Sequence, residues 1–143
     1  MISEELSKKI EETVCSYVNQ NSQEYIDLSK MIWNLAELQF KEFGSVKLLT
    51  EKLASEGFEI ENGVAGIPTA FVATFKNGKG PVVSTWGEYD ALKGLGHEVS
   101  TTKTPNGKDG HGCGHNLMGS ACVAGIVAAK KFMVENNIHG TLK

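Results

Sequence analysis

The chain has 143 residues, 14 Lys and Arg against 17 Asp and Glu, and a formal net charge of −3. That length suits one domain with a buried core, and the charge balance holds no basic excess to neutralise phosphates, so neither nucleic acid nor a membrane surface is an expected partner. No uninterrupted apolar run approaches the roughly 20 residues that span a bilayer.

The N-terminus, Met1-Ile2-Ser3-Glu4-Glu5-Leu6, is acidic and amphipathic, without the basic start and apolar stretch of a signal peptide. It predicts a cytoplasmic protein. The three cysteines, Cys15, Cys113 and Cys122, are too few and too odd in number for a disulfide framework. Cys15 and Cys122 sit in helical patterns and read as small buried residues. Only Cys113 has the polar, glycine-rich setting of a reactive or ligating thiolate.

Leu6, Ile10, Val14 and Val18 are spaced by four and predict an amphipathic helix over 3–20, broken by Asn19-Gln20-Asn21-Ser22. A second helix reads through Tyr25, Leu28, Ile32, Leu35 and Ala36. A third runs from Ser45 to Glu56, with Val46, Leu49 and Leu53 inward and Gly57 as its stop. Trp33, Phe40 and Phe43 read as core.

The period then changes. Phe58 to Glu61 alternates like a half-buried strand, and Thr69 to Phe75 is rich in β-branched and aromatic residues. Asn77-Gly78-Lys79-Gly80 is a turn, and Pro81 to Trp86 follows as a strand, so the pair predicts an antiparallel hairpin. Adjacent Val82 and Val83 suit a strand covered on both faces. Residues 92–109 are loop-like, long enough to be functional or disordered. Leu117 to Asn137 is the strongest helix, its small residues permitting close approach to a sheet. Lys130 and Lys131 suit the dipole in its C-terminal half. His139 is expected to meet the carbonyls at its end. Thr141-Leu142-Lys143 reads as a strand barely begun. The pattern is α/β, with a βαβ unit lacking its last strand and hence a fragment.

The chemistry concentrates in two places. Glu88 and Asp90, at i and i+2 after a strand, point to one face, at the edge where open α/β sheets bind ligands. They fit metal ligation, orientation of a ligating imidazole, or a solvated turn. Gly110-His111-Gly112-Cys113-Gly114-His115-Asn116 places a thiolate and an imidazole two residues apart at a helix start. Sulfur and imidazole nitrogen together suit zinc, and the flanking glycines let the backbone bend. Spacing alone leaves open a polar loop with a free thiol. His111 fits a third ligand, a substrate contact or a solvated ring. His97 has no supporting context. No Gly-x-Ser-x-Gly elbow or Walker loop is present. A Cys113 nucleophile stays open, although His115, two residues away, is poorly placed as its base.

Gly87-Glu88-Tyr89-Asp90-Ala91-Leu92, a long loop and then Gly110 to Asn116 resemble the M20 family of metal-dependent amidohydrolases and peptidases, in the aminoacylase-like branch with a His-x-Cys-Gly-His motif. Gly66-Ile67-Pro68-Thr69-Ala70-Phe71 and Phe40-Lys41-Glu42-Phe43 fit as well, so the resemblance runs from about Tyr25 onward. It implies that residues 1–143 are the N-terminal portion of an M20-type catalytic domain, a mixed sheet flanked by helices and incomplete. It implies two divalent ions, zinc or manganese, with Cys113 and His115 as ligands and Asp90 orienting the site. Glu88 stands where classical members carry a ligand histidine, and Ala36 where many have proline. Asn116 replaces the aspartate of plain aminoacylases. Glu88, His111 and Asn116 remain candidates for supporting or substrate-binding roles. The implied substrate is an acyl- or aminobenzoyl-amino acid or a small dipeptide. The implied partners are the remainder of the chain and a second subunit in a homodimer or heterodimer. A Glu-Glu pair supplying base and ligand, further histidines and a dimerisation domain are expected downstream. A non-catalytic metal-binding or interaction domain is the rival reading.

Overall fold

The structure, a computed structural model, describes residues 3–143. Met1 and Ile2, the first residues of the N-terminal reading, lie outside the described residues.

Three helices come first: α1 (Glu4–Gln20), α2 (Ser22–Leu35) and α3 (Phe43–Ser55). Ser3 caps α1 by accepting the Leu6 N–H at 3.2 Å. Ala36, in the left-handed region at φ 46°, stops α2. The N-terminus of α3 is capped from a distance. The Glu37 carboxylate accepts the N–H groups of Gly44 and Ser45, both at 2.8 Å, and the Ser45 hydroxyl at 2.7 Å. A carboxylate there satisfies otherwise orphaned donors and complements the helix dipole. Gly57, at φ 84°, follows the end of α3, and the Phe58 N–H returns to the Leu53 carbonyl.

The four strands are β1 (Glu59–Asn62), β2 (Phe71–Asn77), β3 (Val82–Val83) and β4 (Gly140–Leu142), in the order β1-β2-β4-β3. This corrects the hairpin expected from the Asn77–Gly80 turn. β4 inserts between β2 and β3, antiparallel to β2 (Phe75↔Leu142) and parallel to β3 (Val82↔Thr141). The reason shows at Gly80, where a Cβ would lie 2.5 Å from the His139 carbonyl oxygen. The incoming backbone of β4 occupies the space that a hairpin partner or a side chain would need. The βαβ unit is therefore complete among the described residues. β3, the 21-residue helix α4 (His115–Glu135) and β4 form it, with two parallel strands side by side. β4 is the covered strand, all three of its residues buried, whereas Val82 and Val83 on the outer β3 are exposed.

One core joins Tyr25, Leu28 and Ile32 of α2, Leu49 and Leu53 of α3, Phe58, Ala73 of β2, Val123 and Val127 of α4, and Leu142 of β4. Each Val, Leu, Ile or Phe side chain among them contributes about 1.5–3 kcal/mol on full burial. α4 is long and apolar enough to cross a membrane by length and composition, with a mean hydropathy of 1.5. Ten of its residues are buried, and it packs against α1, α2, α3 and β2 as a core helix. Phe40 and Phe43 are not core: both are exposed, because the chain leaves helical geometry at Ala36 and helical spacing no longer applies. Cys15 is exposed, since α1 buries no residue fully, and Cys122 is half-buried. His139 is exposed and lies against the Gly78 turn.

Lys130 and Lys131 serve a different purpose from the one expected. They lie 3.9 Å from the Glu56 carboxylate, and Lys130 also donates to the Glu56 carbonyl. Lys52 bridges Glu56 at 2.9 Å and Glu24 at 2.8 Å, so one cluster ties α2, α3 and α4 together. Burial on its own would raise the Glu56 pKa. The Lys52 hydrogen bond and the charges of Lys52, Lys131 and Lys130 outweigh it and hold the carboxyl below its usual value. A depressed folded-state pKa stabilises the fold above the unfolded-state value, and that contribution is lost as pH falls through the folded value. Glu56→Gln is therefore expected to cost about 1–2 kcal/mol at neutral pH, with the difference from the parent shrinking as pH falls below the ordinary glutamate value of about 4.3. Urea denaturation at both pH values checks this, and an equal difference at both would rule out the charge as its source.

Candidate metal centre

The backbone after β3 stays tied to its neighbours as far as the candidate carboxylates. The Thr85 N–H donates to the Lys143 carbonyl at 2.9 Å, and the Cys122 thiol to the Trp86 carbonyl at 3.0 Å. The Glu88 N–H meets the Met118 sulfur at 3.5 Å. Beyond Asp90, the Ala91 N–H donates to the Glu37 carbonyl at 2.7 Å, and Leu38 and Ala91 form an isolated parallel bridge.

The loop at 92–109 is laced rather than loose. Leu92 and Gly110 exchange backbone hydrogen bonds of 3.0 and 3.1 Å, which close the excursion and set its two ends side by side. The Gly112 N–H reaches the Leu95 carbonyl at 2.9 Å, and the Gly94 N–H reaches Asp109 Oδ1 at 2.8 Å. Closure delivers the chain to Gly114, whose φ of 85° turns it into α4 with His115 as the first helical residue. A side chain would strain that turn.

His115 is buried and meets Asp90 twice. Its Nδ1 lies 2.8 Å from Asp90 Oδ1 and 3.1 Å from the Asp90 carbonyl oxygen. Both partners accept, so Nδ1 carries a hydrogen, and in the neutral form of the ring Nε2 keeps the lone pair. That Nε2 lies 3.3 Å from Glu88 Oε2. A lone pair and a carboxylate oxygen at this distance repel unless a positive charge, a proton or a metal ion, joins them. One donor atom from each of Glu88, Asp90 and His115 lies within 4.8 Å of the others. The geometry fits a divalent cation on Nε2 and Glu88, with Asp90 behind the imidazole as its orienting carboxylate.

The other candidates are placed differently. Cys113 is exposed in the turn before α4 and lies outside that three-residue cluster. His111 is buried, with Nε2 3.2 Å from the Ile32 carbonyl and its ring against Trp33. The carbonyl fixes the hydrogen on Nε2, and Nδ1 has no protein partner. Burial pushes the His111 pKa down, which keeps the ring neutral. Asn116 is buried between α4 and α2, its amide donating to the Ser29 hydroxyl at 2.8 Å and carbonyl at 3.3 Å. It is a joint between helices. His97 bridges Pro105 within the loop excursion.

Sequence reasoning missed the support beneath the carboxylates. Tyr89, between Glu88 and Asp90, donates its hydroxyl to the Thr69 carbonyl. Burial, followed by the nearby Glu42 charge, pushes its pKa up to about 12, so the phenol stays protonated. Strand alternation was the available signal: if residues 88 and 90 face the site, residue 89 faces the core.

No family model matches the chain. It is 42% identical over 130 residues to one subunit of the p-aminobenzoyl-glutamate hydrolase of Escherichia coli (strain K12), a match covering 88% of this chain and 27% of that protein. It is 35% identical over 114 residues to thermostable carboxypeptidase 2 of Saccharolobus solfataricus, covering 78% of this chain and 27% of the relative. Among solved structures, a putative aminohydrolase from methicillin-resistant Staphylococcus aureus aligns with a TM-score of 0.74 at 16% identity, over 92% of this chain and 33% of that one. The YXEP protein of Bacillus subtilis, described as a dinuclear metal-binding peptidase of the M20 family, aligns with a TM-score of 0.59 at 23% identity, over 82% of this chain and 33% of that one. The chain thus spans about a quarter of the length of the curated relatives it matches. The paired motifs and the sequence identity make the chain similar to part of these hydrolases, and the two solved structures share its fold.

Proposed function

We propose that this chain supplies one wall of a divalent metal centre that hydrolyses an amide bond. The proposed substrate is an N-acyl- or aminobenzoyl-amino acid or a small dipeptide. The observation that carries the reading is the His115 imidazole, anchored at Nδ1 by Asp90 and presenting Nε2 toward the Glu88 carboxylate. Identity to part of a p-aminobenzoyl-glutamate hydrolase and to a carboxypeptidase supports the bond type, and the neighbour described as dinuclear supports two ions.

Each residue has a distinct task. Asp90 holds the imidazole in the tautomer that leaves Nε2 unprotonated and raises its basicity. Glu88 adds negative charge at the mouth of the site, its side chain two-thirds exposed. Cys113 is proposed as a further ligand on the strength of the motif, with zinc or manganese as the ion. A bound metal of this kind polarises a scissile carbonyl and lowers the pKa of a water. Residues 1–143 are proposed as the N-terminal portion of the catalytic domain. The general base, the remaining ligands and a dimerisation domain would come from the rest of the protein, which works as a homodimer or heterodimer. A cytoplasmic location is part of the proposal.

Three measurements test this. In the full-length protein, metal content after dialysis should fall at least about 10-fold in His115→Ala and in Cys113→Ala, and affinity about 10–100-fold in Asp90→Asn. Unchanged metal in the first two variants would overturn the ligand assignment. EDTA should abolish amide hydrolysis, with Zn²⁺ or Mn²⁺ restoring it. Activity that survives chelation but not thiol alkylation would favour a Cys113 nucleophile instead, and metal binding without any hydrolysis would favour a non-catalytic domain. The isolated 143-residue chain, given excess Mn²⁺ or Zn²⁺, should hydrolyse no amide above the metal-only blank. Robust turnover would show that it carries a whole site.

A further inference from the structure

Glu42 is a charged residue with 7% of its surface exposed. No lysine or arginine is paired with it among the described residues. Both of its oxygens are nonetheless committed: Oε1 accepts the Phe40 N–H at 2.9 Å, and Oε2 accepts the Thr69 hydroxyl at 2.6 Å. Burying a carboxylate without a counter-charge is costly unless strong hydrogen bonds offset it. A site whose only task was to fill space would be better served by an apolar side chain of the same size.

What the carboxylate holds is the underside of the candidate metal centre. Thr69 is itself buried, and its carbonyl accepts the Tyr89 hydroxyl. Tyr89 is the residue between Glu88 and Asp90, and its ring packs 6.0 Å from that of Phe71. On the other side of Asp90, the Ala91 N–H donates to the carbonyl of Glu37, whose side chain caps α3. The segment 37–42 therefore grips the chain on both sides of Asp90: through Glu42, Thr69 and Tyr89 before it, and through the Glu37 backbone after it. Phe40, exposed and left-handed at φ 63°, is held in that strained conformation by its hydrogen bond to Glu42.

We propose that Glu42 is a positioning residue for the metal centre, fixing Asp90, and through it the His115 imidazole, by way of Thr69 and Tyr89. The inference rests on the metal reading above for its consequence and on the hydrogen-bond chain for its existence. Glu42 touches neither substrate nor metal. Replacing it with Gln keeps its size but removes the charge and one of the two acceptor oxygens, so the Thr69 hydroxyl no longer donates to a carboxylate. Replacing Tyr89 with Phe removes a single oxygen from the far end of the same chain.

The test uses the full-length protein and Co²⁺ as probe, with circular dichroism to select folded variants. Glu42→Gln and Tyr89→Phe should each weaken Co²⁺ binding about 10-fold, within the range for groups that orient ligands. The double variant should be no weaker than the worse single, because both cut one chain. A matched substitution at exposed Glu61 should leave the affinity unchanged. Rescue is part of the expectation: Glu42→Asp should recover more affinity than Glu42→Gln, a difference that simple loss of packing would not produce. Folded variants with Co²⁺ affinities within 2-fold of the parent would overturn the proposal, as would singles whose effects add in full. A parent that binds no Co²⁺ would sink the metal reading separately. In that case the His115 ring ¹⁵N shifts report on the Asp90 contact without a metal. Loss of the fixed Nδ1–H tautomer in Glu42→Gln would support the positioning role, and unchanged shifts would overturn it.

Discussion

The contact between Asp90 and the Nδ1 of His115 is the constraint around which this site is built. It joins the irregular segment beyond β3 to the start of α4 across 25 residues of sequence. Without it, the imidazole would be free to choose its tautomer, and its second nitrogen would have no fixed direction. With it, Nδ1 is committed to Asp90 and Nε2 faces the Glu88 carboxylate, an arrangement that calls for a positive charge, a proton or a metal ion, between them. The elements on either side can be understood as the means of keeping this one pair of atoms together. Gly114 turns the chain so that His115 opens α4, the Leu92–Gly110 bonds return the long loop to its origin, and Glu37 holds the residue after Asp90.

The helical layer reaches this chemistry through α4. α4 lies at its centre, in contact with all three other helices and with the sheet. Its first turn carries His115 and Asn116, the latter bonded into α2, so the position of the imidazole is set by the same packing that forms the core. The charged cluster of Lys52, Glu24, Glu56, Lys130 and Lys131 fastens the helices elsewhere on the surface. Those charged groups take no part in the site, whereas the cap of α3 and the seat of His115 serve stability and site geometry together.

Local signals in the sequence were legible where the physics is local. The apolar spacings at Tyr25, Leu28 and Ile32 and at Leu49 and Leu53 mark helix faces that are indeed buried. Glu88, Asp90 and His115 could be brought to one sheet edge from strand alternation and the position of a helix start. The failures are all non-local. The Asn77–Gly80 turn looks like a hairpin because nothing nearby announces that residues 140–142 will enter between its arms. Phe40 and Phe43 look like core because the end of α2 at Ala36 rests on a left-handed residue that is not glycine. Glu42 was invisible as a buried group because a charged side chain is expected on the surface, and only the fold supplies its two hydrogen-bond donors.

The central position of β4 also bears on how the chain acquires its structure. Its partners lie at Phe75–Asn77 and Val82–Val83, about sixty residues earlier. During synthesis, β1 and β2 can pair and the first three helices can form while β2 and β3 still lack the strand that joins them. The sheet closes only after α4 and residues 140–142 have emerged. Until then, two strand edges lack their partner and are open to solvent, the kind of surface that favours mispairing and association.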